Sequence, residues 1–173
     1  MSLADQLSEF LDADLITTSP ADRARHARDL SPGALIAERK NGARPGPEVV
    51  VRPQRTPQVA EILFWAHRTG TPVYPYGAGS GVCDGIAPHG GIVVDLSDMD
   101  QILDVDEKSR LVRAQAGVMG SSLSVELGTR GLTLGHEPQS LAISTVGGWV
   151  ATRASGQLSA RYGGIEKMVA GLE

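Results

Sequence analysis

The stretch PYGAGSGVCDG, residues Pro75 to Gly85, decides how this sequence is interpreted. It leaves one predicted strand, PVYPYG, and leads into another, GIVVDLS, with no helical pattern between them. Its glycines, Gly77, Gly79, Gly81 and Gly85, cost backbone entropy on folding. Either the chain needs unusual dihedral angles at this point, or another group must approach its backbone closely.

This glycine-rich stretch matches neither of the two common phosphate-binding motifs. A dinucleotide fingerprint starting at Gly77 requires glycine at the place of Val82 and then a helix, and the following residues do not have a helical pattern. A P-loop requires a lysine, which the stretch lacks. The small residues from Gly77 to Gly81 still leave room for a row of N–H groups that binds an anion, with the Ser80 hydroxyl as a further donor. A glycine-rich strand connection without any ligand is the alternative.

Composition excludes several classes of protein. The chain has 173 residues, 41% hydrophobic and 21% charged, which is typical of a globular protein. A net charge of −4 gives no basic footprint for nucleic acid. Cys83 is the only cysteine, so no intrachain disulfide forms, and a reducing compartment is the simplest interpretation. The sequence shows neither a secretion signal nor a membrane span, and we expect a cytoplasmic protein.

The breaker-rich segment Lys40–Pro47 is the best domain boundary in the chain. Before it, helical spacing of Leu3 and Leu7 and a helix start at Ser19 predict an N-terminal helical extension over residues 1–46. The second domain then covers residues 47–173, and its first helix is predicted to start at a Thr56 cap followed by Pro57 and to end at Gly70. Its order of strand, helix and strand, followed by three closely spaced strands and a helix from Met119 to Gly131, predicts a mixed α+β fold.

A second segment, SLAISTVGGWVATRASG, is rich in hydroxyl groups that could donate to a ligand. These groups belong to Ser140, Ser144, Thr145, Thr152 and Ser155. The alternative is a buried helix start in which the Ser144 or Thr145 hydroxyl caps the helix. Both roles are compatible, because a helix N-terminus also favours a phosphate.

Together, PYGAGSGVCDG, GHEPQSLAISTVGGWVATRASG and RYGGIEKMV resemble the FAD-binding domain of the vanillyl-alcohol-oxidase flavoprotein superfamily, the PCMH-type or FAD-linked oxidase domain. The resemblance runs from about Glu48 to the end of the chain. It implies an α+β, two-lobed FAD-binding domain whose second lobe is incomplete here, preceded by the N-terminal helical extension. It also implies that Tyr162 and Gly163 form a turn near the cofactor.

The resemblance implies that two segments contact FAD, the first of them at the pyrophosphate. The implied cofactor-binding residues are Pro75, Tyr76, Gly77, Ala78, Gly79, Ser80, Gly81, Gln139, Ser140, Leu141, Ala142, Ile143, Ser144, Thr145, Thr152, Arg153, Ala154 and Ser155. Several members of the superfamily link FAD covalently through a histidine in the first segment. Because Ser80 takes that place here, we predict noncovalent FAD.

The catalytic residues of the superfamily lie mostly beyond the region that matches this chain, so no catalytic residue is assigned. The sequence predicts no metal site, because the four histidines fall in unrelated segments. Asp95 and Asp98 are explained by turn formation, and His136 by a structural role. We expect a chain cut short relative to its superfamily, with an oligomer possible.

Three functions remain open from the sequence. In the leading hypothesis the chain belongs to a flavin-dependent oxidoreductase that acts on a hydroxylated small molecule such as a 2-hydroxy acid. The second block also looks like alkylglycerone-phosphate synthase, a transferase in which flavin acts without net redox change. The third hypothesis is a binding domain without catalytic turnover. The substrate and the electron acceptor are not specified by the sequence.

Overall fold

The computed structural model describes residues 1–173, which divide into two structural units, Met1–Asp98 and Met99–Glu173. The first unit contains α1 (Leu3–Leu7), β1 (Ile16–Thr17), α2 (Pro20–Arg25), α3 (Pro32–Asn41), β2 (Val49–Val51), α4 (Thr56–Thr69), β3 (Val73–Tyr76) and β4 (Ile92–Asp95). Its four strands form one sheet in the order β1-β2-β4-β3, in which only β1 is antiparallel to its neighbour.

The central strands β2 and β4 are apolar except for Asp95 at the end of β4, because side chains cover both faces of the sheet. Val49 and Val51 face a core made by α1 and α4, which contribute Leu7 and Ile62. Val50 points the other way, into a cluster with Val93 and Tyr76. Alternation along β2 therefore explains why three consecutive valines are all buried.

The amphipathic helix α4 begins and ends close to its predicted limits. Pro57 lies in its first turn, and Gly70 ends it in the left-handed conformation, with φ of +67°. The N-cap is Arg55, one residue before the predicted cap Thr56. Ser19 is the N-cap of α2 as predicted, although its side chain makes no capping hydrogen bond.

The N-terminal helices pack into the same core as the sheet. Leu7, Leu11 and Leu15 are all buried there, and β1 pairs with β2. The sequence predicted neither β1 nor α3, and α3 ends at Asn41, inside the segment predicted as a boundary. The assignment of residues 1–46 as a separate extension stays a prediction.

The second unit contains β5 (Ile102–Asp106), β6 (Leu111–Ala114), α5 (Gly120–Thr129), α6 (Val146–Thr152) and α7 (Ser159–Tyr162). Strands β5 and β6 form an antiparallel hairpin. Val118, Leu123, Leu127, Trp149 and Ile165 form the core of this unit. No helix of the structure is both long enough and apolar enough for a membrane crossing.

Candidate functional site

The glycine loop, residues 77–91, begins at the carboxyl end of β3 and has a conformation that requires glycine. Gly79 has φ of +65°, a region that side chains rarely adopt. A Cβ atom there would collide with the Tyr76 hydroxyl and lie 2.8 Å from its Cζ atom. Gly81 is confined in a similar way, since its Cβ would lie 2.9 Å from Asp29 Oδ2. Backbone geometry therefore accounts for two of the four glycines in the sequence motif.

The first half of this loop exposes unused backbone donors. None of the N–H groups from Gly77 to Asp84 donates a hydrogen bond to another group of the chain. The side chains from Gly77 to Gly81 are small, and Ala78 is exposed. Such a row of donors fits an anionic group such as a pyrophosphate, which needs several N–H donors and close access to the backbone. The geometry fits the predicted role of residues 75–81 and does not require a lysine.

Residues of the N-terminal segment form hydrogen bonds with this loop. The buried Asp29 carboxylate accepts hydrogen bonds from Ser31 N–H (2.9 Å) and Gly85 N–H (3.0 Å). Leu30 N–H donates to the Gly81 carbonyl at 2.8 Å. Sequence reasoning missed Asp29. The motif DLSP hints at its local bond to Ser31, but nothing indicates the bond to a residue 56 positions later.

A buried charged network lies beside Tyr76. The His26 ring packs against the Tyr76 ring at 4.4 Å, and its Nδ1 and Nε2 lie 2.7 Å from the Asp22 carbonyl and 2.9 Å from Asp95 Oδ2. Arg52 Nε donates to the same Asp95 oxygen at 3.3 Å. His26 is the C-cap of α2.

The direction of its pKa shift gives the charge of Asp95 in this network. Burial would raise the pKa of Asp95, but hydrogen bonds from His26 and Ser97 outweigh it and hold the pKa below its ordinary value. Asp95 is therefore a carboxylate, and the Asp22 carbonyl can only accept. The His26 ring lies between these two acceptors, with one ring nitrogen within hydrogen-bond distance of each. Burial also raises the pKa of the Tyr76 hydroxyl.

Several hydroxyl groups of the second predicted segment form hydrogen bonds within the segment itself. Ser144 Oγ accepts from Trp149 Nε1 at 2.7 Å and from Ser140 Oγ at 3.2 Å, and it donates to the Ser140 carbonyl at 2.7 Å. Thr145 Oγ1 accepts from Gly148 N–H, which makes Thr145 the N-cap of α6. The capping interpretation of this segment is therefore confirmed.

Other parts of the second segment remain open to a ligand. The N–H groups of Ala142, Ser144 and Thr145 donate to no acceptor in the chain. Gln139, Ala142 and Ile143 are exposed, whereas Ser140 and Leu141 are half-buried. Of the three residues with these free N–H groups only Ala142 is exposed, whereas Ser144 and Thr145 are buried, so the Ala142 N–H is the accessible one of the three backbone donors.

The final predicted residues follow α6. Thr152 Oγ1 donates to the Gly148 carbonyl at 2.8 Å, and Arg153 ends the helix with φ of +52°. The Arg153 side chain is 77% exposed, and its Nη2 lies 3.9 Å from Glu166 Oε1. Ser155 is exposed and Ala154 half-buried. In this run the Thr152 hydroxyl and the Ala154 N–H, which donates to the Trp149 carbonyl at 2.8 Å, are both committed to hydrogen bonds within the chain.

His136 lies in the core of the second unit. It is 3% exposed, and its ring meets the Trp149 ring edge-on at 4.8 Å. Neither ring nitrogen has a hydrogen-bond partner. Burial lowers the pKa of His136, so the ring is neutral near pH 7. Its packing supports the structural role expected from the sequence.

The remaining candidates make no further cluster. Asp95 is tied into its network and to Ser97 N–H, as a strand-end turn requires, whereas Asp98 is exposed. Cys83 is exposed in the glycine loop. Tyr162 packs over Gly135, where a Cβ would lie 2.9 Å from its ring. No three His, Cys, Asp or Glu side chains are placed to hold a metal ion.

Comparison with known proteins decides the family. Residues 47–173 match the family described as the FAD binding domain. The chain belongs to this family. Membership confirms that FAD is the cofactor, and the resemblance stated from the sequence is correct.

Curated relatives of the FAD-binding chain include both synthases and oxidoreductases. It is 34% identical over 172 residues to alkyldihydroxyacetonephosphate synthase of Caenorhabditis elegans, covering 95% of this chain and 29% of the relative. It is 35% identical to an FAD-linked oxidoreductase of Escherichia coli, covering 99% and 36%. Glycolate oxidase subunit GlcD of Bacillus subtilis is 32% identical, covering 73% and 27%. The chain thus spans about a third of the length of these relatives.

Solved structures confirm the fold of the FAD-binding chain. A crystal structure of alkyldihydroxyacetonephosphate synthase superposes with a TM-score of 0.88 at 31% identity, covering 96% of this chain and 31% of that one. A p-cresol methylhydroxylase structure, at 18% identity, matches with a TM-score of 0.68. The predicted α+β fold of the PCMH type is therefore confirmed.

Proposed function

We propose that this chain is the FAD-binding portion of a flavin-dependent oxidoreductase that acts on a hydroxylated small molecule, such as a 2-hydroxy acid. The main observation in support of this proposal is the row of unused N–H donors from Gly77 to Asp84. Family membership supports FAD as the ligand, and the relatives named for FAD-linked oxidation and glycolate oxidation support the reaction class.

In this proposal residues 75–81 hold the pyrophosphate of FAD. The backbone N–H groups donate to the phosphate oxygens, Ser80 adds a hydroxyl, and the confined Gly79 and Gly81 let the ligand approach. Residues 139–145 and 152–155 supply the remaining contacts to FAD. FAD supplies the hydride acceptor when bound, and this chain binds and orients it.

We test the loop by placing a charge in it. Ala78 is exposed, so Ala78→Asp adds a carboxylate beside the free N–H groups without disturbing a core contact. We expect FAD affinity of the full chain, measured by calorimetric titration, to fall by about tenfold or more through phosphate repulsion. Ala78→Asn has nearly the same size and no charge, so a much smaller loss is expected. Equal affinity of the two variants would contradict the pyrophosphate site.

We propose that FAD is bound noncovalently, because Ser80 takes the place of the histidine through which several members of the superfamily attach their flavin. Acid precipitation of the flavin-loaded chain should leave the flavin in the supernatant. Flavin absorbance that stays with the washed polypeptide pellet would contradict this proposal.

Alkyldihydroxyacetonephosphate synthesis is the second candidate, which the sequence suggested under the name alkylglycerone-phosphate synthase. It is favoured by the 0.88 TM-score and by a match that extends over nearly the whole chain. The two candidates differ in net redox change. When an oxidoreductase receives a 2-hydroxy acid without an electron acceptor, its flavin stays reduced, and the visible absorbance of the flavin is lost. A synthase of this kind turns over with its flavin oxidation state unchanged at the end.

A further inference from the structure

The glycine loop is fixed by residues that precede the matched family region of residues 47–173. Leu30 N–H donates to the Gly81 carbonyl at 2.8 Å, inside the loop. Asp29 Oδ2 accepts from Gly85 N–H at 3.0 Å. Arg44 pairs with Asp84 through both of its terminal nitrogens, at 2.5 and 3.2 Å. Three residues of the N-terminal segment thus contact the loop between residues 81 and 85.

Asp29 is the central residue among these contacts. Its side chain is buried, with 2% of the residue exposed. One carboxylate oxygen accepts from Ser31 N–H and orders its own segment, while the other accepts from Gly85 N–H and fixes the loop. It also borders Gly81, whose Cβ would lie 2.9 Å from Oδ2. A single buried carboxylate therefore joins two segments that both lack regular structure at this point.

The contacts leave the unused donors free. The hydrogen bonds between the N-terminal segment and residues 81–85 of the loop involve the Gly81 carbonyl, the Gly85 N–H and the Asp84 side chain. None of them occupies an N–H group between Gly77 and Asp84. The N-terminal segment therefore restrains the loop without competing for the donors that a phosphate needs.

We propose that Asp29 is a positioning residue for FAD. Asp29 orders the glycine loop before binding, so that the N–H groups of the loop meet the pyrophosphate without a further entropy cost. This inference rests on the proposed pyrophosphate site in residues 75–81. A loop that is already ordered loses less conformational freedom on binding, and affinity rises accordingly. Asp29 contacts the loop at Gly81 and Gly85, and in this proposal its effect on FAD is transmitted through these two residues.

The test compares FAD affinities of the full chain and its Asp29→Asn variant. Asparagine keeps the size, but its amide group has only one accepting oxygen for two N–H donors. We expect FAD affinity to fall by about tenfold, because the loop must then be ordered on binding. Ile62→Val, in the sheet core away from the loop, is the control for a mere loss of stability. We expect it to lower the unfolding temperature and leave FAD affinity unchanged.

A measurement on the unsubstituted chain covers the case in which Asp29→Asn does not fold. Amide hydrogen exchange should show Gly85 N–H protected, although it lies in a loop. Exchange of Gly85 at the rate of an unstructured peptide, with Val93 in the sheet protected, would overturn the inference. So would FAD affinity of a folded Asp29→Asn chain within about twofold of the original, well under the tenfold expected from lost pre-organisation.

The outcome for Ala78→Asp separates the two proposals. If Ala78→Asp loses FAD and Asp29→Asn does not, the pyrophosphate site stands and only the positioning role fails. If Ala78→Asp and Ala78→Asn bind FAD equally well, the proposed site fails, and the positioning role fails with it.

Discussion

Asp95→Asn should destabilise the first structural unit strongly, because Asp95 is the buried carboxylate that His26 and Arg52 share. Asparagine keeps the size and one accepting oxygen but removes the negative charge. The substitution leaves the Arg52 guanidinium and the buried His26 ring facing a neutral amide. Removing one partner of a buried ion pair costs about 3–5 kcal/mol. Arg52 keeps its bond to Asp22 and is 28% exposed, which favours the lower end of that range.

We therefore expect the free energy of unfolding to fall by about 3 kcal/mol, a large part of the 5–15 kcal/mol typical of a domain. With a urea dependence of about 2 kcal/mol per M, the midpoint should fall by about 1.5 M. Urea titration followed by circular dichroism measures this shift. Asp98→Asn is the matched control, since Asp98 is exposed and lies three positions further along the chain.

The pH dependence gives an independent check on Asp95. Its pKa in the folded state lies below the ordinary 3.8, despite the opposing effect of burial. A depressed folded-state pKa contributes stability above the unfolded pKa, and this contribution is lost as the pH falls through the folded value. The stability difference between the original chain and Asp95→Asn should thus shrink below pH 3.8. A difference under about 1 kcal/mol at neutral pH would refute the ion-pair argument.

Three further substitutions test the second unit. Gly120→Ala should cost about 1–3 kcal/mol by overpacking, measured by urea titration, because the new Cβ would meet the Trp149 ring. His136→Phe should remove part of the stability loss seen as the pH falls below 6.5, since burial lowers the folded pKa of His136 and only the unfolded state takes up the proton. Thr145→Ala should cost about 1 kcal/mol of unfolding free energy by losing the cap to Gly148 N–H, and Thr145→Ser should retain most of it.

Local patterns predicted the elements that local forces determine. Runs of β-branched residues correctly predicted β2 and β4. Pro57 near the start and Gly70 after the end correctly predicted α4. The small residues of the glycine loop indicated a close approach to backbone, and Gly79 shows why glycine is needed. These features depend on the preferences of neighbouring residues, which a single sequence contains.

Contacts between distant parts of the chain could not be predicted in this way. His26 and Asp95 are 69 positions apart, and neither has a local feature that indicates the other. β1 has only two residues, and its pairing with β2 defines it as a strand. The capping role of Thr145 was predicted as one alternative, but the full use of the Ser144 hydroxyl depends on Trp149 Nε1. Tertiary packing decided each of these features.

The strand order β1-β2-β4-β3 also affects how the chain folds during synthesis. β2, α4 and β3 leave the ribosome before β4, yet β4 lies between β2 and β3 in the finished sheet. We therefore expect β4 to pair with β2 and β3 after those strands have formed, and the glycine loop is the connection that must allow this. Pulse-labelled hydrogen exchange should show the Ile92 N–H, which bonds to the Pro72 carbonyl, gaining protection later than the α4 amides. The glycine loop would then have a role in assembling the sheet that is separate from the proposed binding of FAD.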